Sequence, residues 1–132
     1  MHKLTLYTDG GARGNPGPAG IGVVILDNGK TVKEYGEYIG EGTNNQAEYR
    51  ALLSGLETIK EMGATEVDIF MDSELIVKQI KGEYKVRDQN LADIYLKVHN
   101  LLIGFKYSIT HIRREKNKLA DAMVNNAIDK HA

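Results

Sequence analysis

The sequence predicts an α/β fold: a five-stranded mixed sheet, three antiparallel strands and then parallel strands, flanked by helices. Three observations predict it. Three early segments alternate or run apolar in the manner of strands, and a hairpin turn joins the second to the third. Two later strand-like segments are each preceded by a helical pattern, which demands parallel pairing. The remaining segments repeat their apolar residues at helical spacing, giving the order βββαβααβα.

In chain order, Lys3–Asp9 places Leu4 and Leu6 on one face and Thr5, Tyr7 and Asp9 on the other. A Gly/Pro loop is expected over residues 10–20, followed by a buried strand, Ile21–Leu26, and a third strand, Lys30–Tyr38, entered through the turn Asp27-Asn28-Gly29. Thr43 and Gln46 form a capping box, and Tyr49, Leu52, Leu53, Leu56 and Ile59 follow at helical spacing before Gly63. Glu66–Asp72 alternates again and runs into a short helix from Ser73 to about Lys81. Asp88 is placed to cap a helix carrying Leu91, Ile94, Tyr95, Val98 and Leu102, which Gly104 ends. Phe105–Ile112 is the fifth strand, and Asn117 is placed to cap a last helix through about Asp129.

Composition narrows the class. The 132 residues, 42% hydrophobic and 27% charged, suit a single domain over 1–132. Such a chain buries roughly 65–70% of its unfolded surface and needs no disulfide or structural metal to fold. The absence of cysteine excludes thiolate zinc sites and thiol catalysis. No apolar run approaches a membrane span, and the opening residues carry no signal-peptide apolar stretch, so a cytoplasmic, membrane-free monomer with no evident protein partner is expected. Seventeen Lys and Arg against 18 Asp and Glu leave a net charge of −1, which argues against general polyanion binding and confines any nucleic-acid affinity to local patches. Two stretches qualify: Lys78, Lys81, Lys85 and Arg87, and Lys106, Arg113, Arg114, Lys116 and Lys118. Solvated helix and loop surface is the simpler account of both.

Four acidic residues carry the chemical signal: Asp9, Glu48, Asp72 and Asp121. Taken singly, Asp9 reads as a turn starter, Asp72 as a helix cap, and Glu48 and Asp121 as acids favoured by a helix dipole. Taken together they point elsewhere, because Asp9 and Asp72 end strands expected to be adjacent and parallel, the edge at which open sheets bind ligands. A cluster of carboxylates there repels itself unless cations occupy it. All-oxygen ligands select a hard ion, Mg²⁺ or Mn²⁺. Two such ions about 3.5–4 Å apart would clamp the attacking and leaving oxygens of a phosphoryl displacement.

The segments TDGGARGNPGPAG (8–20), TNNQAE (43–48), MDSELIVKQI (71–80) and NKLADA (117–122) resemble, in order and spacing, the motifs of type 1 ribonuclease H, across nearly the whole chain. The resemblance implies a ribonuclease H-like fold and metal-dependent cutting of the RNA strand of RNA–DNA hybrids, with 5′-phosphate and 3′-hydroxyl ends. It assigns the four catalytic and metal-binding acids to Asp9, Glu48, Asp72 and Asp121. It also assigns hybrid minor-groove contacts to Gly14, Asn15, Asn44, Asn45 and Gln46, and a DNA-strand phosphate to the neighbourhood of Thr43. Short amides and glycines suit that task, since they admit close approach and can bond 2′-hydroxyls.

The chain departs from longer members of that family in two places. Gly82–Arg87 stands where they carry a basic, Trp-containing insertion, and the chain has no Trp, so weak hybrid affinity is expected. Arg113-Arg114-Glu115-Lys116 replaces a His-bearing loop. Arg113 and Arg114 are candidate positive groups for the scissile phosphate, but a guanidinium cannot shuttle protons at neutral pH. The compact pattern resembles short bacterial and archaeal forms. Two alternatives are a non-catalytic binder of hybrid or double-stranded RNA, which would not need four acids, and a ribonuclease H-like nuclease acting on DNA, which would not need the amide set.

Overall fold

The computed structural model describes residues 2–131. Its elements are β1 (Lys3–Ala12), β2 (Gly17–Asp27), β3 (Lys30–Gly42), α1 (Asn44–Glu61), β4 (Glu66–Met71), α2 (Glu74–Ile80), α3 (Gln89–Ile103), β5 (Lys106–His111), a 3₁₀ turn at Arg114–Lys116, and α4 (Lys118–His131). The sheet order is β3-β2-β1-β4-β5, antiparallel across β3-β2-β1 and parallel across β1-β4-β5. No helix among the described residues is long and apolar enough to cross a membrane.

Strand alternation decides where the core lies. Leu4 and Leu6 of β1 and Val67, Ile69 and Met71 of β4 point to one face, where they meet Tyr49, Leu52, Leu56 and Ile59 of α1. Val98 and Leu102 extend that core into α3, which packs against α1. The opposite face of β1, β2 and β3 is covered by α4.

The structure corrects the expected loop over 10–20. Both strands run into it, pairing Gly11 with Gly20 and Ala12 with Ala19, so that only residues 13–16 remain as a connection. Glycine in that stretch signals close approach of a helix more than a turn. A Cβ on Gly10 would lie 2.3 Å from the Ala47 carbonyl of α1, and, beyond that stretch in the expected second strand, one on Gly22 would lie 2.1 Å from the Ala120 carbonyl of α4. Gly14 alone in this segment takes a left-handed backbone, with φ of 92°. β3 likewise outlasts its expected end at Tyr38, because residues up to Gly42 continue the ladder with β2 past a bulge at Ala19/Gly20.

Two of the expected caps form, those of Thr43 and Asp88, and those suggested for Asp72 and Asn117 do not. Thr43 Oγ1 accepts from the Gln46 amide, and Gln46 Oε1 from the Thr43 amide, completing the capping box. Asp88 accepts from the Asn90 amide at the start of α3, and Ser73 caps α2 by accepting from the Ile76 amide. Ser73 thereby relieves Asp72 of the capping role its position suggests. Asn117 stands ahead of α4, but its side chain turns inward to the Thr8 carbonyl and Asp72.

Candidate active site

The site forms where β1 and β4 part. Their parallel ladder runs from Lys3 paired with Glu66 to Thr8 paired with Met71 and stops there. Asp9 and Asp72 are the next residues on each strand. Asp9 is not the end of β1, as expected; it still pairs with Gly22 of β2, which immobilises its backbone. Glu48 enters from the second turn of α1 and Asp121 from the first turn of α4.

Two glycines set how near the helical acids come. Ala47 seats on Gly10 and Ala120 on Gly22, and each of these alanines immediately precedes an acid, Glu48 and Asp121. The closest approach of each helix to the sheet thus falls one residue before its carboxylate. Glu48 is further tied by its Oε1, which accepts from the Gly10 amide at 2.8 Å.

One carboxylate oxygen from each of Asp9, Glu48 and Asp72 lies within 4.8 Å of the others. Asp9 and Glu48 are 7% and 6% exposed, so their negative charges sit where water solvates them poorly. Burial raises the Asp9 pKa to about 7, reinforced by the charges of Asp72 and Asp121. Burial likewise raises Glu48 well above the ordinary carboxylate range, and the neighbouring Asp9 adds to it. Glu48 Oε2 is buried without a hydrogen-bond partner among the described residues. A buried acceptor with no donor, beside carboxylates that like-charge neighbours crowd without a counter-charge, fits a divalent cation. The all-oxygen donor set selects a hard one.

The four acids line an open cleft of about 530 Å³ together with Asn44, Asn45, Arg13 and Arg114. Asn15 and Gly14 stand beside this cleft in the 13–16 connection, where Asn15 Oδ1 accepts from the Asn44 amide and Asn44 Oδ1 accepts from the Ala12 amide. The two asparagines therefore lock that connection onto the start of α1. Thr43 and Gln46 are engaged with each other in the capping box, outside the cleft lining. Arg114 lines the cleft and Arg113 does not. His111 ends β5, with its Nδ1 4.0 Å from Glu74.

Two residues at the site were given no site role by the sequence. Arg13 reaches α4, pairing with Asp129 at 2.5 Å and approaching the Asn125 side chain at 3.4 Å. Asn117 contacts Asp72 directly. Its position four residues before Asp121 gave a signal, but the local pattern suggested a helix cap.

Comparison with known proteins agrees with this geometry. A family model described as reverse transcriptase-like matches residues 7–127. The chain is 43% identical over 129 residues to ribonuclease HI of Halobacterium salinarum, covering 96% of this chain and 65% of that protein. The crystal structure of RNase H1 from the same archaeon superposes with a TM-score of 0.94 at 42% identity, covering 97% of this chain and 98% of that one. LC11-RNase H1, solved in complex with an RNA/DNA hybrid, superposes with a TM-score of 0.92 at 50% identity, covering 97% and 98%. A match over most of the chain, with the carboxylate cluster at the parting strands, establishes the family: the chain belongs to type 1 ribonuclease H.

Proposed function

We propose that this chain is a divalent-metal-dependent endoribonuclease that hydrolyses the RNA strand of RNA–DNA hybrids. Mg²⁺ is the proposed ion, with Mn²⁺ as a substitute, and the proposed products end in 5′-phosphate and 3′-hydroxyl. The observation that carries the reading is the triad Asp9, Glu48 and Asp72, two of them buried and Asp72 half-buried, lining a cleft that Asn44 and Asn45 also line. The hybrid bound to LC11-RNase H1, a relative of 50% identity, supports the same substrate class. On this reading the chain acts as a monomer in the cytoplasm, without a protein partner.

Asp9, Glu48, Asp72 and Asp121 would hold the ions, Asp9 from a backbone fixed by pairing on β1 and Glu48 from a side chain anchored on the Gly10 amide. When bound, a pair of divalent ions neutralises the carboxylates and supplies electrostatic stabilisation to the attacking and leaving oxygens of an in-line displacement at phosphorus. Cleavage of the bond between phosphorus and the 3′-oxygen leaves the phosphate on the downstream fragment.

Substrate choice falls to the amides. With their oxygens committed to backbone N–H groups, Asn15 and Asn44 are left with NH₂ groups to donate, a match for the acceptor oxygens of 2′-hydroxyls. Arg114 contributes a fixed positive charge at the cleft wall. A guanidinium offers a planar fork of donors, so its part is to attract and orient phosphate.

The test is cleavage of matched RNA–DNA, RNA–RNA and DNA–DNA duplexes with Mg²⁺ or Mn²⁺. Cleavage confined to the RNA of the hybrid is expected. Binding without cleavage, or cleavage of DNA duplex, would overturn the reading.

A further inference from the structure

Asn117 is 2% exposed, in the short link between the 3₁₀ turn and α4. Its Nδ2 donates to the Thr8 carbonyl at 2.9 Å and to Asp72 Oδ2 at 3.2 Å. Both partners are acceptors, so the amide orientation is determined: only the NH₂ end can occupy that place. Its Oδ1 is buried without a hydrogen-bond partner among the described residues. A hydrophobic side chain would avoid that cost, and an ordinary helix cap would use the oxygen. The residue is thus placed for what its NH₂ group does.

Thr8 is the last β1 residue paired with β4, and Asp9 follows it. The Asn117 carbonyl accepts from the Asp121 amide at 3.1 Å. One side chain and its backbone therefore join the residue before Asp9, the carboxylate of Asp72 and the first turn of α4. Neither β2 nor α1 makes an equivalent bond to Asp72, which lies beyond the end of its strand.

We infer that Asn117 is a positioning residue for Asp72: by donating to Oδ2 it holds the carboxylate in place beside those of Asp9 and Glu48. This rests on the metal-dependent reading above. A ligand oriented by a neighbouring donor binds its ion with less ordering to do, and removal of such a partner typically weakens metal affinity by about 10- to 100-fold.

The test is calorimetric titration of the hybrid-free protein with Mn²⁺, for wild type, Asn117→Ala and Asn117→Ser, alongside melting temperature and cleavage at varied metal and varied hybrid. A rise of about tenfold or more in the Mn²⁺ Kd is expected for Asn117→Ala. Its activity should recover as metal is raised, with KM for hybrid unchanged, and Asn117→Ser, which keeps a donor of shorter reach, should fall between. Unchanged Mn²⁺ affinity in either folded variant would overturn the inference, as would a loss of activity that metal does not restore or a rise in KM for hybrid. If Asn117→Ala does not fold, Asn117→Ser alone decides by the same criteria, and failure of both to fold would show a structural role and overturn it. Failure of wild type to bind Mn²⁺ would instead bring down the metal-dependent reading itself.

Discussion

The two halves of the sheet are built on opposite terms. In the β3-β2-β1 half, helices press on both faces, and glycines at Gly10, Gly22 and Gly36 bring helix backbone within 2.1–2.3 Å of where a Cβ would stand. In the β4-β5 half, the packed face is the one whose Val67, Ile69, Met71 and Ile109 join the core shared with α1, α2 and α3. The other face carries Phe70, its ring stacked 5.1 Å from that of Tyr7 on neighbouring β1, and a surface network in which Asp68 pairs with Lys3 of β1 and accepts from Ser108, both at 2.8 Å. The glycine-lined half receives two acids from helices, Glu48 and Asp121, and so must fix helix position within a fraction of an ångström. The open half contributes Asp72 from the end of a strand and tolerates a solvated outer face. Rigidity lies where side chains must be delivered from another layer.

The comparison is tested most severely at the seam between the halves. Asp9→Asn and Asp72→Asn should each abolish hybrid cleavage while leaving melting temperature in EDTA undiminished, because neutralising one carboxylate relieves repulsion and removes a metal ligand. Activity near wild type, or marked unfolding, would show that the cluster is not the reactive centre.

Gly22→Ala addresses the packed half. Its Cβ would meet the Ala120 carbonyl at 2.1 Å, so α4 must move and carry Asp121 with it. A loss of about 1–3 kcal/mol in denaturant unfolding is expected from overpacking. Displacement of a catalytic acid should lower kcat by roughly 100-fold. A variant that loses stability but keeps kcat would uncouple the glycine seat from the position of Asp121.

Proton uptake sharpens the same point. Asp9 has a pKa raised to about 7 in the folded protein and that of Glu48 is also raised, so the metal-free folded state binds protons more tightly than the unfolded chain. The associated stability is fully present below the unfolded carboxylate pKa of about 4 and is lost as pH rises through about 7. Melting temperature in EDTA should therefore fall between those limits, with a shallower fall in Asp9→Asn. Equal slopes in the two proteins would assign the effect to other groups.

The smallest effect belongs to the open half. Ser108→Ala removes one exposed hydrogen bond to Asp68 and should cost no more than about 1 kcal/mol, with kcat unchanged. A change in kcat there would mean that the outer face of β4-β5 communicates with the site.

Much of the molecule is legible along the chain because the relevant signals are local. Alternation in Lys3–Asp9 and Glu66–Asp72, the Thr43/Gln46 box and the apolar stripe of α3 each depend on residues within a few positions of one another. Four acids at motif spacing, with parallel pairing of β1 and β4 implied by the intervening helix, were enough to bring Asp9 and Asp72 side by side. What only the tertiary structure decided involves partners distant in sequence. Gly10 looks like a turn residue, and Gly22 like any position of a buried strand, until Ala47 and Ala120 are seen against them, since a missing Cβ serves a bend and a close contact equally well. Asn117 looks like a cap until Thr8 and Asp72, 109 and 45 residues away, claim its NH₂ group. Arg113 and Arg114 differ by one position in a basic run, and only the path of the 3₁₀ turn puts Arg114 in the cleft lining and leaves Arg113 outside it. Local patterns record what a residue can do within its own element; its choice among those roles is made by contacts that form when the layers come together.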